Sequence, residues 1–278
     1  MKKFNFNKPL IESPYPPKNI NAIWVRKDID GDLTLYTYQV KNNFGRWRSI
    51  NDSVEVVPEK TIWFTAPEYL NLSNPNIVKF DFENKAGYIE FENELTQIND
   101  IFVDSGVSSI KLPVNLKLTS ILDNTFKGCQ LLTSFNIPDT VTSIGSNAFK
   151  GCGSISNITI PKSVVSLGDS AFSFCTNLTN VEIPEGITDI PTNAFEYCTN
   201  LKKVKLPKTI TNIESGAFAN CVNLIDITLQ EGITTIKTDT FKNCKSLKTL
   251  TIPESVTTIE YSALSGCKFD SFHIPANI

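Results

Sequence analysis

From about residue 105 to the end of the chain, apolar and polar positions recur with a period of 23 residues. The segment Leu178-Thr179-Asn180-Val181-Glu182-Ile183 shows the unit: apolar residues stand first, fourth and sixth. This pattern predicts a short strand in which Val181 and Ile183 face a core while Asn180 and Glu182 face water. Pro184 has no N–H to continue a ladder, so the strand is expected to end there. Ile187 and Ile190 then point inward from the following segment. Ala194, Phe195 and Cys198 have the spacing of a short helical turn with one buried face.

The same register holds along the chain. Cys129, Cys152, Cys175, Cys198, Cys221, Cys244 and Cys267 are each 23 residues apart. Three residues before them stand Phe126, Phe149, Phe172, Phe195, Phe218 and Phe241, with Leu264 in the last copy. An Ile-Pro or Leu-Pro step follows at Pro138, Pro161, Pro184, Pro207, Pro253 and Pro275, and Gln230 replaces the proline once. One copy cannot cover its own apolar side chains, whereas stacked copies bury them in continuous columns. The fold class expected is therefore mainly β: a parallel β-solenoid with short helical turns, preceded by a small β-rich domain. Ile98, Ile101, Val107, Ile110 and Leu112 read as a degenerate opening coil.

The string Leu-Thr-x-Val-x-Ile-Pro-x-x-Ile-Thr-x-Ile-x-x-x-Ala-Phe-x-x-Cys resembles the BspA-like leucine-rich-repeat family over residues 105–278. The resemblance implies a solenoid of 23-residue leucine-rich repeats. Proteins carrying such repeats are often bacterial surface adhesins that bind host matrix or neighbouring cells, and the repeat also serves other roles.

The first hundred residues lack the repeat and hold all three tryptophans, Trp24, Trp47 and Trp63. Strands are expected over 20–25, 33–40, 46–50, 54–57, 61–64, 78–82 and 88–91, with turns at Asp30-Gly31 and Asn42-Asn43-Phe44-Gly45. The domain division expected is 1–83 for a β-rich attachment domain, 84–104 for a junction and capping coil, and 105–278 for the solenoid. Residues 20–50, ending in Gly45-Arg46-Trp47, are similar to small anchor modules of bacteriophage virion fibre proteins. That likeness implies a mount on a particle, through contacts of residues 1–83 with other virion proteins. Asp28, Asp30 and Asp32 crowd a polar turn but miss the glycine and glutamate that a calcium loop requires.

Composition excludes more than it adds. The net charge is −3 with both signs scattered, so no electrostatic footprint for nucleic acid is present. Apolar runs are too short to insert in a membrane. Asn5, Asn7, Lys8 and Pro9 interrupt any signal-peptide core after Lys2 and Lys3, so no export leader is expected within this stretch. Seven thiols cannot pair completely, and their one-per-coil spacing is unlike a metal knuckle; a column of small buried residues is the better reading than a redox or metal site. The one histidine, His273, falls at an outward strand position. No nucleophile elbow, zinc helix, phosphate loop or dinucleotide fingerprint occurs, so neither catalysis nor a cofactor is expected.

A binding role is expected instead, on the outward strand rows. The candidate face comprises Asn157, Thr159, Asn180, Glu182, Lys202, Lys203, Lys205, Asp226, Thr228, Thr249 and Thr251. It is polar, charged at its centre and free of aromatic residues. The function expected is non-catalytic display, with the repeats contacting a protein partner or cell surface and the chain able to form homo-oligomers through an open strand edge. The setting is a virion assembled in host cytoplasm or, alternatively, a bacterial cell surface; a third reading is an intracellular protein-binding scaffold.

Overall fold

The computed structural model describes residues 23–27, 33–41, 44–49, 61–66, 77–83, 86–91, 96–112, 116–271, 273–276 and 278. The expected turns at Asp30-Gly31 and Asn42-Asn43, the acidic Asp28–Asp32 turn, the 54–57 strand and the Met1–Pro9 stretch lie outside these residues.

Three strands form an antiparallel meander: β1 (Ile23–Lys27), β2 (Leu33–Lys41) and β3 (Phe44–Ser49). A second group follows in β4 (Thr61–Thr65), β5 (Ile77–Glu83) and β6 (Ala86–Phe91). The chain then enters the solenoid through β7 (Gln97–Ile98) and β8 (Ser109–Lys111). The order β5-β6-β4-β8 is a single sheet in which β4 runs antiparallel to β8, with Phe64 opposite Ile110. Hydrogen bonding thus crosses the 84–104 segment, and the unpaired edge of the opening coil is covered by β4. Ile62, Phe64, Ala66 and Ile89 are buried in the same apolar cluster as the repeats.

Each coil of the solenoid has two strand positions. The front ladder runs through Asn180–Glu182, Lys203–Lys205 and Asp226–Ile227, with Asn157 bridging to Asn180. A second parallel ladder occupies the segment after the proline step. It joins β7 to Ser120–Ile121, Ser143–Ile144 and Ser166–Leu167, and recurs as Asp189–Ile190 with Asn212–Ile213 and as Thr235–Ile236 with Thr258–Ile259. Sequence reading placed Ile190 inward but assigned no strand there. Two residues per coil are too few for alternation to show in the sequence.

The third side is made of turns, which corrects the expected helical turn. Among the described residues the one helical segment is the single 3-10 turn Asp100–Phe102. Two residues of each turn adopt positive φ, for example Asn193 at 55° and Tyr197 at 57°, and a left-handed residue every few positions breaks a right-handed helix. The N–H groups released from helical bonding reach the next coil instead, as when Phe149 donates to the Ala171 carbonyl at 2.8 Å and Phe172 to Ala194 at 2.9 Å. Backbone polar groups on all three sides are therefore spent in binding coil to coil.

Inside, identical residues stack. Phe126, Phe149, Phe172, Phe195, Phe218 and Phe241 are fully buried, continuing a column begun by Phe102. Successive ring centroids lie 5.1–5.7 Å apart, and from Phe149 to Phe241 neighbouring rings are within 8° of parallel.

Candidate functional site

The front ladder fixes the outward rows by its register. Asn180, Lys203 and Asp226 are aligned partners, as are Glu182 and Lys205, while Val181, Val204 and Ile227 turn inward between them. All eleven expected face residues, Asn157 through Thr251, have exposed side chains. Lys202 lies one column over, its backbone N–H bound to the Thr179 carbonyl at 2.8 Å.

The charged centre is internally paired. Lys203 Nζ lies 2.7 Å from Asp226 Oδ2, and Lys205 Nζ bonds Glu182 Oε1. These are cross-strand neighbours on one face, the arrangement in which opposite charges attract along a sheet. The hydrogen bond and charge of Glu182 hold the Lys205 ammonium above the ordinary lysine pKa. Lys202 makes no ion pair among the described residues. Threonine and asparagine tie the rows together: Thr179 Oγ1 donates to the Ser156 carbonyl at 3.2 Å and Asn180 Nδ2 to Thr179 Oγ1 at 3.1 Å. The sheet face is thus a pre-ordered polar surface whose central charges alternate in sign from coil to coil. His273 is also exposed, at the far end of the rows.

The cysteines sit beneath. Each thiol lies within hydrogen-bonding distance of the phenylalanine carbonyl of the preceding coil, 26 residues earlier except for Cys129, whose partner Phe102 is 27 earlier; Cys198 Sγ lies 3.2 Å from Phe172 O and Cys221 Sγ 3.1 Å from Phe195 O. The thiol donates, as a second partner to a carbonyl that already accepts a backbone N–H in its own turn, such as Cys175 N–H to Phe172 O at 3.2 Å, and so the buried thiol proton is itself satisfied. Burial raises Cys129 and Cys267 to about 11 and Cys175 to about 12, and pushes Cys152, Cys198, Cys221 and Cys244 upward as well. A thiol held neutral is a poor nucleophile and a poor metal ligand. Cys267, at the last coil, is the one that is only half-buried.

Sequence reading missed one feature of the turn side. The second left-handed column runs Gly128, Gly151, Phe174, Tyr197, Asn220, Asn243, Gly266. Glycine and asparagine tolerate positive φ, and two aromatic residues in the middle of such a column do not suit it. Phe174 and Tyr197 are 40% and 38% exposed, stacked with centroids 4.5 Å apart and planes 16° from parallel. The periodicity that exposes the core columns could have shown them, as the two large side chains at a position otherwise Gly or Asn.

The fold defines a repeat-built protein of the leucine-rich-repeat class, with a parallel ladder along its exposed front. The model of the BspA type leucine-rich repeat region matches residues 69–179, 96–224 and 167–278. The chain belongs to that family. Among solved structures, it is similar to a leucine-rich repeat protein from Eubacterium ventriosum, at 28% identity and a TM-score of 0.58, over 72% of this chain and 52% of that one. A leucine-rich repeat protein from Bacteroides ovatus matches at 25% identity and a TM-score of 0.53, over 75% of this chain and 60% of that one. The leucine-rich repeat protein of T. pallidum shares the fold at 24% identity and a TM-score of 0.51, over 68% of this chain and 86% of that one. The chain therefore spans about half the length of the first of these relatives and 60% of the second. No curated protein matches it. No helix among the described residues is long and apolar enough to cross a membrane.

Proposed function

We propose that this protein is a non-catalytic display protein whose front ladder binds a protein partner or a cell surface. Residues 1–83 mount it on a larger assembly. One observation carries the reading: coil after coil repeats the same backbone while Asn157, Asn180, Lys203, Asp226 and their row partners vary on an exposed, continuous sheet face. The fold does not demand those side chains, and a rigid sheet presents them without the ordering cost that a flexible loop incurs on binding.

Two settings follow from different observations. A bacterial cell surface is favoured by family membership and by relatives from Eubacterium ventriosum and Bacteroides ovatus. A virion fibre or decoration protein is favoured by the three-stranded β1-β2-β3 meander, which carries the segment resembling phage anchor modules. Mass analysis of purified particles and surface labelling of the producing cells separate them: the chain is expected in one fraction and absent from the other. For the binding role, the labelled full chain is applied to immobilised matrix proteins and to intact cells. The variant Asn180→Ala/Glu182→Ala/Lys203→Ala/Lys205→Ala should lose most of the bound signal. Undiminished binding by that variant would overturn the assignment of the front face.

A further inference from the structure

We propose that the Phe174–Tyr197 stack, together with the step beside it at Gly151, is a saccharide-binding site on the turn side of the solenoid. It is separate from the front ladder and does not rest on the function assigned there.

The first support is conformational. Coils before and after this pair fill the left-handed position with Gly128, Gly151, Asn220, Asn243 and Gly266, residues suited to positive φ. Phe174 and Tyr197 hold φ of 59° and 57° there with large apolar rings. Their rings are part-exposed, so burial does not repay the strained backbone. Backbone outliers that folding does not require are concentrated at binding sites.

The second support is shape. Tyr197 covers one face of the Phe174 ring. On the other side the next two coils carry glycine, and a methyl built on Gly151 would meet nothing closer than the Gly128 backbone at 3.5 Å. The aromatic column therefore stops at a step over Gly151 one coil spacing wide, about 4.8 Å at the usual strand separation, and the Asp104 carboxylate bounds it beyond, lying where a Cβ on Gly128 would stand. A flat ring laid in that step continues the stack as its third rung.

The third support is the rim. Three residues beyond this column stand Leu131, Ser154, Asn177 and Asn200, with Asn200 Nδ2 donating to Asn177 Oδ1 at 3.3 Å. An apolar platform bordered by amides and a hydroxyl matches a pyranose, which has apolar C–H faces and a hydroxylated edge. A protein hot spot instead sits in a well-packed, fully desolvated pocket ringed by water-excluding contacts, whereas these rings end on the open step at Gly151. The candidate front face has no aromatic residue to offer a sugar; the turn side carries the stacked pair Phe174 and Tyr197.

Saturation-transfer NMR on the full chain tests this with a panel of methyl pyranosides of glucose, galactose, mannose, N-acetylglucosamine and fucose. N-acetyltryptophanamide and adenosine monophosphate serve as controls. At least one pyranoside is expected to bind. Phe174→Asn and Tyr197→Asn, which copy Asn220 and Asn243 and so preserve the coil, should weaken binding by tenfold or more. Gly151→Phe, which fills the step, should do the same, while the four-residue front-face variant binds the sugar unchanged. The proposal is overturned if no pyranoside receives saturation, if Phe174→Asn binds as the parent does, or if either control binds better than every sugar.

Discussion

Cutting Phe195 back to alanine is the most direct test of the stacked core. The ring is fully buried, with centroids 5.5 Å from Phe172 and 5.6 Å from Phe218, and no polar atom of its side chain compensates. Removing it leaves a cavity between two rings that the hydrogen-bonded coils hold in place. Substitutions of this kind cost about 3–5 kcal/mol. At about 2–4 °C per kcal/mol for a domain of this size, the thermal midpoint should fall by roughly 6–20 °C. Lys203→Ala supplies the contrast, since it removes one exposed partner of the Asp226 ion pair, worth about 0–1 kcal/mol in water. Circular dichroism melts of the two variants and the parent, at one concentration and scan rate, read the difference. Phe241→Ala refines the test: beyond it the column holds only the part-buried Leu264, so its loss should cost less and fray one end. Equal midpoints for Phe195→Ala and Lys203→Ala would refute the stacked core, whatever the other variants do.

The remaining predictions concern thiols, the capping sheet and the turn column. Thiol titration of native protein at pH 8 should find Cys267 reacting first and the six deeper cysteines slowly, with all seven released by denaturant; several fast thiols would contradict the burial. Because burial lifts Cys175 from 9.0 to about 12, folded and unfolded chains both keep that proton below pH 9, and between 9 and 12 only the unfolded chain loses it. Its contribution to stability is thus complete below pH 9 and lost as pH rises through that window, so the midpoint of Cys175→Ala should decline less steeply there than the parent's. Deleting residues 1–50 should leave the solenoid midpoint within a few degrees, whereas deleting 1–91 strips Ile62, Phe64 and Ile89 from the shared core and should lower it sharply; equal midpoints would separate the β4–β6 sheet from the solenoid. Tyr197→Asn should hold or raise the midpoint, since relief of a left-handed aromatic, about 1–2 kcal/mol, opposes the lost stack, about 0.5–1.5 kcal/mol.

The inward columns were legible in the sequence because a solenoid makes one-dimensional periodicity do what tertiary folding does elsewhere. Phe126 to Phe241 and Cys129 to Cys267 need only be aligned at a period of 23 to be seen as neighbours, and the same alignment orders Asn157, Asn180, Lys203 and Asp226 into a row. Three things required coordinates. The second ladder, including Asn212–Ile213, consists of strands two residues long whose bonds all go to other coils, so no local pattern records them. The β4–β8 pairing joins residues more than forty positions apart, where no repeat relates the partners. The left-handed turns that replace a helix are set by inter-coil N–H donation, a constraint that exists only once the coils are stacked. Side-chain period fixed what lies inside, because like residues one turn apart must touch, and the same period marks the Phe174–Tyr197 pair; backbone hydrogen bonding between distant segments decided the edges and the second ladder, because such bonds leave no mark on residue type.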